Sequence, residues 1–432
     1  MRGALWLVIL FGAAVAIALF AGTNQGLVTI FWPPYRVDLS VNLVVLLLLA
    51  TFVVGYSALR ALAALFDLPR QAKRWRAQQK ERAMHASLLD AQSYLLAGRF
   101  IRARKAAQAA LHQEQSLGSV GVKLVNAVQF RALSHLAAAE GAQALQDRAA
   151  RDEHLKQALE DPSQRHTALG QETREGAQLR AARWALDDGD ASAALAWLDE
   201  LPMGVARRTL ALRIKLKAAR LAHRTAEALE TARLLAKHRA FPGDAAQSIV
   251  RGLATELIHG AYDTTQLLQV WNSLESSERE MPELAIGAAE RMAALHGDAH
   301  IARDWLLPLW ERMVSAPGSP ASGLGDYQSI KLVRALELGL ESVDASWLAR
   351  IESAQQQNPR DARLQYLAGM TCLKRQLWGR AQLLLAQAVT GLQDLSLHRN
   401  AWRALAQLAQ QRGDEAAAAQ AWKRAAQLDP AA

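Results

Sequence analysis

The chain has 432 residues, 50 Lys and Arg against 41 Asp and Glu, and a formal charge of +9. Its one cysteine, Cys372, excludes an intramolecular disulfide and any paired-cysteine metal or redox centre. Ala and Leu dominate and strand-like alternation of β-branched residues nearly ends after residue 60, so the composition points to an all-α protein.

The first elements are two uncharged apolar stretches, residues 3–22 and 39–59. Each is about twenty residues, which at about 1.5 Å per residue matches a hydrocarbon core roughly 30 Å thick. A cleaved secretory signal fits less well, because the positive leader is only Arg2 and Leu19–Phe20 stand where small residues would mark a cleavage site. The linker Thr23–Asp38 carries Pro33 and Pro34 between Trp32 and Tyr35, which reads as a turn with aromatics at headgroup level. The expectation is a transmembrane hairpin over residues 1–66.

A basic run follows at once, with Arg70, Lys73, Arg74, Trp75, Arg76, Lys80 and Arg82. The connecting loop holds only Arg36 with Asp38 nearby. The positive-inside rule therefore predicts a bacterial inner-membrane protein with a cytoplasmic C-terminal body and a short periplasmic loop. The same run is a candidate surface for anionic lipid headgroups. It accounts for much of the net charge and interleaves one aromatic, which argues against nucleic-acid binding.

Internal repeats come next. In residues 398–430, Trp402, Leu405, Ala406, Ala418, Trp422, Ala425 and Pro430 stand at tetratricopeptide offsets. Gly369, Ala381, Leu385 and Ala388 precede the corresponding residues by 37 positions. A turn glycine followed five residues later by alanine recurs at Gly98/Ala103, Gly189/Ala194, Gly297/Ala302 and Gly413/Ala418. Each glycine is expected to end a first helix with positive φ, and each alanine to face that helix's backbone. Such pairs bury their apolar faces only by stacking, which predicts an α-solenoid. The stretch Ala316–Asp326 is rich in Pro, Gly and Ser. It predicts a division into degenerate repeats over 67–315 and clearer ones over 327–432.

Catalytic constellations are sparse. There is no GxGxxG after a strand, no HExxH and no GxSxG. His296 and His300 are four apart, but Gly297 and Asp298 put a turn between them. Asp187, Asp188 and Asp190 around Gly189 lack the second half of a calcium loop. No metal site and no enzyme activity is expected. If the first helices line the groove, its candidate contacts are Arg363, Tyr366, Met370, Asn400, Arg403 and Gln407. Arg and Asn recognise a peptide carboxylate or a porphyrin propionate, while Tyr and Met supply apolar contact.

The two spans, the segment FWPPYRVDLS, the basic RQAKRWRAQQKERA helix and the repeat tail resemble the proteobacterial HemY proteins. The specific part of the resemblance is roughly residues 25–130. It implies an inner-membrane scaffold of a late step in protohaem formation, with haem-pathway enzymes as partners and haem or porphyrin as a further ligand. The eleven dispersed histidines offer no spacing that selects an axial ligand. Two other readings compete. One is an assembly adaptor of another envelope pathway; the other is a tetrapyrrole oxidase, which the missing cofactor motif disfavours.

Overall fold

A computed structural model describes residues 2–23, 25–119, 121, 124, 126–161, 167–315 and 324–428. Apart from one β-hairpin the described residues form an all-α protein. Helix α1 spans Arg2–Thr23, strand β1 Leu27–Trp32, strand β2 Tyr35–Ser40 and helix α2 Val41–Leu96. The linker expected as a plain turn is thus a paired ribbon, with Pro33 and Pro34 confined to its tip, where they cost no ladder hydrogen bond. Ser40 starts α2 as its cap, accepting from Leu43 N at 3.3 Å.

Among the described residues one helical segment is long and apolar enough to cross a bilayer. It is Val41–Ala63, with mean hydropathy 2.2 and none of it buried. In α1 the described apolar stretch is Leu10–Leu19, shorter than a span. Of the two spans expected, the second is therefore matched by a clear candidate and the first by a shorter one.

The chain divides into two compact units, Met1–Ala177 and Gln178–Ala432. In the first, the far half of α2 packs on α3 (Phe100–Ser119), followed by α4 (Ala127–Ala144) and α5 (Arg148–Leu159). Its core is alanine-rich: Ala91, Ala107, Ala137 and Ala138 form one cluster, and Met84, Ala110, Leu117 and Phe130 another. Helix α6 (Ala168–Asp187) runs across the division.

The second unit stacks further pairs, beginning with α7 (Ala191–Asp199) and the short α8 (Met203–Ala206). Then come α9 (Thr209–Leu221) with α10 (Thr225–Lys237), and α11 (Gly243–Gly260) with α12 (Thr264–Ser273). After the single turn α13 (Ser276–Arg279), α14 (Pro282–Ala294) pairs with α15 (Ala299–Ser315). Helices α16 (Asp326–Leu338) and α17 (Ala345–Gln357) precede α18 (Ala362–Lys374) with α19 (Trp378–Gly391), and α20 (Leu395–Gln411) with α21 (Glu415–Gln427). One hydrophobic core runs from Leu212 to Leu408 and holds both Met313 and Leu324. The core therefore continues past residue 315, and the division between units lies at 177/178 rather than near 316–326. Most of that Pro/Gly/Ser-rich stretch lies outside the described residues.

The turns explain why the pairs form. Within seven pairs the chain passes through a left-handed residue: Gly98, Gln146, Gly189, His223, His296, Gln376 and Gly413, with φ between 54° and 83°. At each, that residue's N–H donates to the carbonyl three back, at 3.0–3.1 Å. The next N–H donates to the carbonyl five back, at 2.8–3.0 Å. This double bond satisfies carbonyls that a helix end leaves orphaned. In three turns an aspartate then caps the second helix, Asp147, Asp190 and Asp414 accepting from Ala150, Ala193 and Ala417. Three of the four glycines expected to turn the chain do so. At the fourth, His296 takes the positive φ, and Gly297 serves a different need: a Cβ there would fall 2.2 Å from Met292 Sδ. Gly369 likewise admits Leu385, whose Cγ would lie 2.8 Å from an added Cβ.

A candidate interaction cleft on the C-terminal repeats

Helices α14, α16, α18 and α20 neighbour one another, as the first helices of stacked pairs do. Between them lies a cleft of about 580 Å³ whose lining includes Glu290, Arg334, Glu337, Met370, Lys374 and Asn400. Asn400 Nδ2 donates to Glu337 Oε1 at 3.4 Å. Burial pushes the Glu337 carboxyl up from its ordinary range, against the opposing pull of Tyr366 and Asn400. The Tyr366 hydroxyl is likewise pushed up, by burial first and then by the Glu337 charge. Lys374 Nζ meets Glu341 Oε1 at 2.9 Å. The lining thus combines carboxylates (Glu290, Glu337, Glu341), cations (Arg334, Lys374) and the Asn400 amide.

The six residues expected to line a groove separate into four positions. Met370 and Asn400 line this cleft, and Tyr366 is fully buried, so it supports the cleft without facing a ligand. Arg363 lies at a second cleft of about 710 Å³, among the loops that lead into α18 and α20. Its guanidinium is already engaged, with Asp361 at 3.1 Å and Asp326 at 3.3 Å. Arg403 and Gln407 are exposed on α20 and line neither cleft. Glu337 was not expected. Its signal was a carboxylate between Val333 and Leu340, at the i+4 position of an otherwise buried stripe.

The basic run is part of α2 itself. Lys73, Arg74, Trp75, Arg76, Lys80 and Arg82 are exposed, while the side chain of Arg70 lies outside the described residues. Lys73 to Arg82 stand ten to nineteen residues past Ala63, or about 15–28 Å along the helix. The run thus continues the same helix beyond the apolar segment, with its cations exposed.

Among the described residues no group of three or more His, Cys, Asp or Glu could hold a metal ion. His300 Nδ1 faces Asp304 Oδ2 at 3.2 Å and does not join His296. The unexpected histidine pair is His135 on α4 and His154 on α5, with Nδ1 atoms 3.1 Å apart. Burial, then His154 and Arg131, lowers His135 to about 4; burial, then Arg104, lowers His154. Burial also pushes the Cys372 thiol up, which keeps it inert. The last aromatic of the expected repeat, Trp422, is 37% exposed. Among the described residues no helix follows α21 to pack over it.

No curated protein matches the chain. Among solved structures, a Naa15/Naa10 complex bound to HypK-THB is similar at 14% identity and a TM-score of 0.23, covering 76% of this chain and 56% of that one. The chain thus spans little more than half the length of that relative. The P58(IPK) TPR domain is similar at 13% identity and a TM-score of 0.21, covering 76% and 99%. At such scores neither likeness bears on what the chain does. The informative match is to the family described as HemY protein N-terminus, over residues 26–132. Those residues are the β-hairpin, α2, α3 and the start of α4. Over this segment, and in agreement with the motifs that suggested it, the chain is similar to the HemY N-terminal family.

Proposed function

We propose that this chain is a membrane-anchored, tetratricopeptide-like scaffold that acts in a late step of protohaem or porphyrin metabolism, without catalysing a reaction itself. The observation that carries the reading is the joining of a HemY N-terminus and an exposed apolar helix to a stack of helix pairs bearing a charged cleft. In this reading α1 and α2 both span the inner membrane, the β-hairpin is periplasmic and the repeats are cytoplasmic. The cleft at Glu337, Met370 and Asn400 holds a peptide segment of a haem-pathway enzyme, and haem or porphyrin passes between the enzymes so gathered. The physical gain is effective concentration. Two proteins held on one scaffold meet at local concentrations of order millimolar, in place of a diffusive search.

Deleting the gene tests this. Free porphyrin should rise in the cells while ferrochelatase and porphyrinogen oxidase activities persist in extracts. Unchanged porphyrins with a defect elsewhere in the envelope would favour an adaptor of another pathway. Oxidation of a porphyrinogen by the purified chain alone would sink the scaffold reading. The cleft is tested separately by Glu337→Lys and Asn400→Ala, which should abolish co-purification of the partner enzymes while leaving the helical circular-dichroism signal intact.

A further inference from the structure

The β-hairpin sorts its side chains by face. Six cross-strand pairs run from Leu27 with Ser40 at the base to Trp32 with Tyr35 at the tip. Successive residues of a strand alternate faces, and directly opposed partners share one. One face therefore gathers Val28, Ile30 and Trp32 with their partners Leu39, Val37 and Tyr35. The other presents Leu27 beside Ser40 at the base, Thr29 beside Asp38 and Phe31 beside Arg36. On that second face Arg36 Nε meets Asp38 Oδ1 at 3.3 Å, and the guanidinium lies 5.4 Å over the Phe31 ring. Its aromatic is thus capped by a cation. The first face carries no charge at all. It is also open: Ile30 and Val37 are each 48% exposed, and Trp32 and Tyr35 are 76% and 72% exposed. Two strands alone are marginal in water, so an uncharged face of this size needs a cover.

We propose that this face lies flat on the bilayer, in the boundary between headgroups and acyl chains, with the Arg36–Asp38 face in water. The inference rests on the reading of α2 as a span and adds a second, interfacial contact to it. Continuity argues for lipid as the occupant. Ser40 ends β2 and caps α2, so no linker separates ribbon from span. Val41 N donates to Gly26 O at 3.0 Å, which ties the other edge of the base to the same level. The base of the ribbon therefore sits where the apolar helix begins. Standing upright, strands of six residues would lift Trp32 and Tyr35 about 20 Å into water. Lying flat, both rings occupy the depth that Trp and Tyr favour, and the polar face stays hydrated. The ribbon then acts as the strand counterpart of an amphipathic interfacial helix, and fixes how far α2 sinks and how it is rotated.

Nitroxide labels on the full-length chain in vesicles of phosphatidylethanolamine and phosphatidylglycerol test this. The native Cys372 is buried, so new thiols label selectively. Ile30→Cys and Val37→Cys report the apolar face, Thr29→Cys and Asp38→Cys the polar face, and Leu47→Cys and Val54→Cys the span. Relaxation by oxygen against an aqueous nickel chelate gives a depth value for each label. The expected result is a change of sign from face to face, with 30 and 37 oxygen-rich and 29 and 38 nickel-rich. If 30 and 37 are as nickel-accessible as 29 and 38 while 47 and 54 stay oxygen-rich, the ribbon stands in water and this inference fails alone. If 30 and 37 are shielded from both reagents, protein covers the face and the lipid assignment is overturned. Nickel access at 47 and 54 would instead overturn the span, and this inference with it.

Discussion

Leu46 and Leu48 in α2 are each 67% exposed, whereas Leu229 and Leu235 in α10 are 2% and 0% exposed. The side chains are the same and both sit in regular helices, yet the chain covers one set with itself and leaves the other open. Around α10 the apolar residues alternate with charges such as Glu227, Glu230 and Lys237, so one stripe turns inward and finds its neighbours. Around the first part of α2 no polar face exists, and a helix apolar all round is satisfied by a surrounding solvent of the same kind. Periodicity, more than hydrophobicity, separates the residues that fold the repeats from those left open along the first part of α2.

The sharpest break of this comparison is a matched pair of truncations. Leu235→Ala should destabilise the repeats by about 2–5 kcal/mol in denaturant titrations of the full chain in detergent, and Leu47→Ala should leave that transition where it is. An equal loss from both would mean that the apolar first part of α2 also packs on the repeats. Next in size is a charge in the span. Val54→Lys should cost about 3 kcal/mol of insertion and move protein out of the membrane fraction after alkaline extraction. Unaltered partitioning would remove Val41–Ala63 as the anchor.

The buried core of the first unit also carries a pH dependence that the span lacks. His135 is lowered from 6.5 to about 4 when folded, so between those values the unfolded chain binds the proton that the folded chain refuses. Stability should therefore be complete above about pH 6.5, fall by about 2 kcal/mol on going to pH 5, and level off below pH 4. His135→Leu should flatten the unfolding midpoint across that window; an unchanged slope would place its source elsewhere. The smallest effects belong to the turns. Gly189→Ala, at φ +83°, should cost about 1 kcal/mol, and Gln376→Gly should return a similar amount, both read from thermal midpoints.

Much of this architecture is legible before any coordinates. The uncharged stretches, the helical composition and the glycine–alanine spacing each follow from a local rule that one segment satisfies alone. What escaped reading depends on partners remote in sequence or on rules that composition blurs. The strands Leu27–Trp32 and Tyr35–Ser40 are short and flank two prolines, so the pairs suggested a turn and hid a ribbon. The change from apolar to basic near Arg60 looks like a boundary, yet Arg, Lys, Gln and Ala propagate a helix as well as Leu, and α2 continues through it. The buried position of Tyr366 and the placing of Glu337 depend on how three first helices stack, which no single repeat encodes. That Arg363 is engaged by two aspartates, Asp361 and Asp326, likewise depends on neighbours that no residue spacing announces.

The seven left-handed turns have a consequence for how such a chain changes over generations. Their geometry is held by two backbone hydrogen bonds, and glycine occupies only three of them. A backbone-encoded turn tolerates almost any side chain at a cost of about 1 kcal/mol, small enough for the rest of the stack to absorb. Mutation can therefore erase the sequence resemblance between one repeat and the next while their pitch is preserved. An array of this kind can exchange its surface, and with it its binding partners, without passing through an unfolded ancestor.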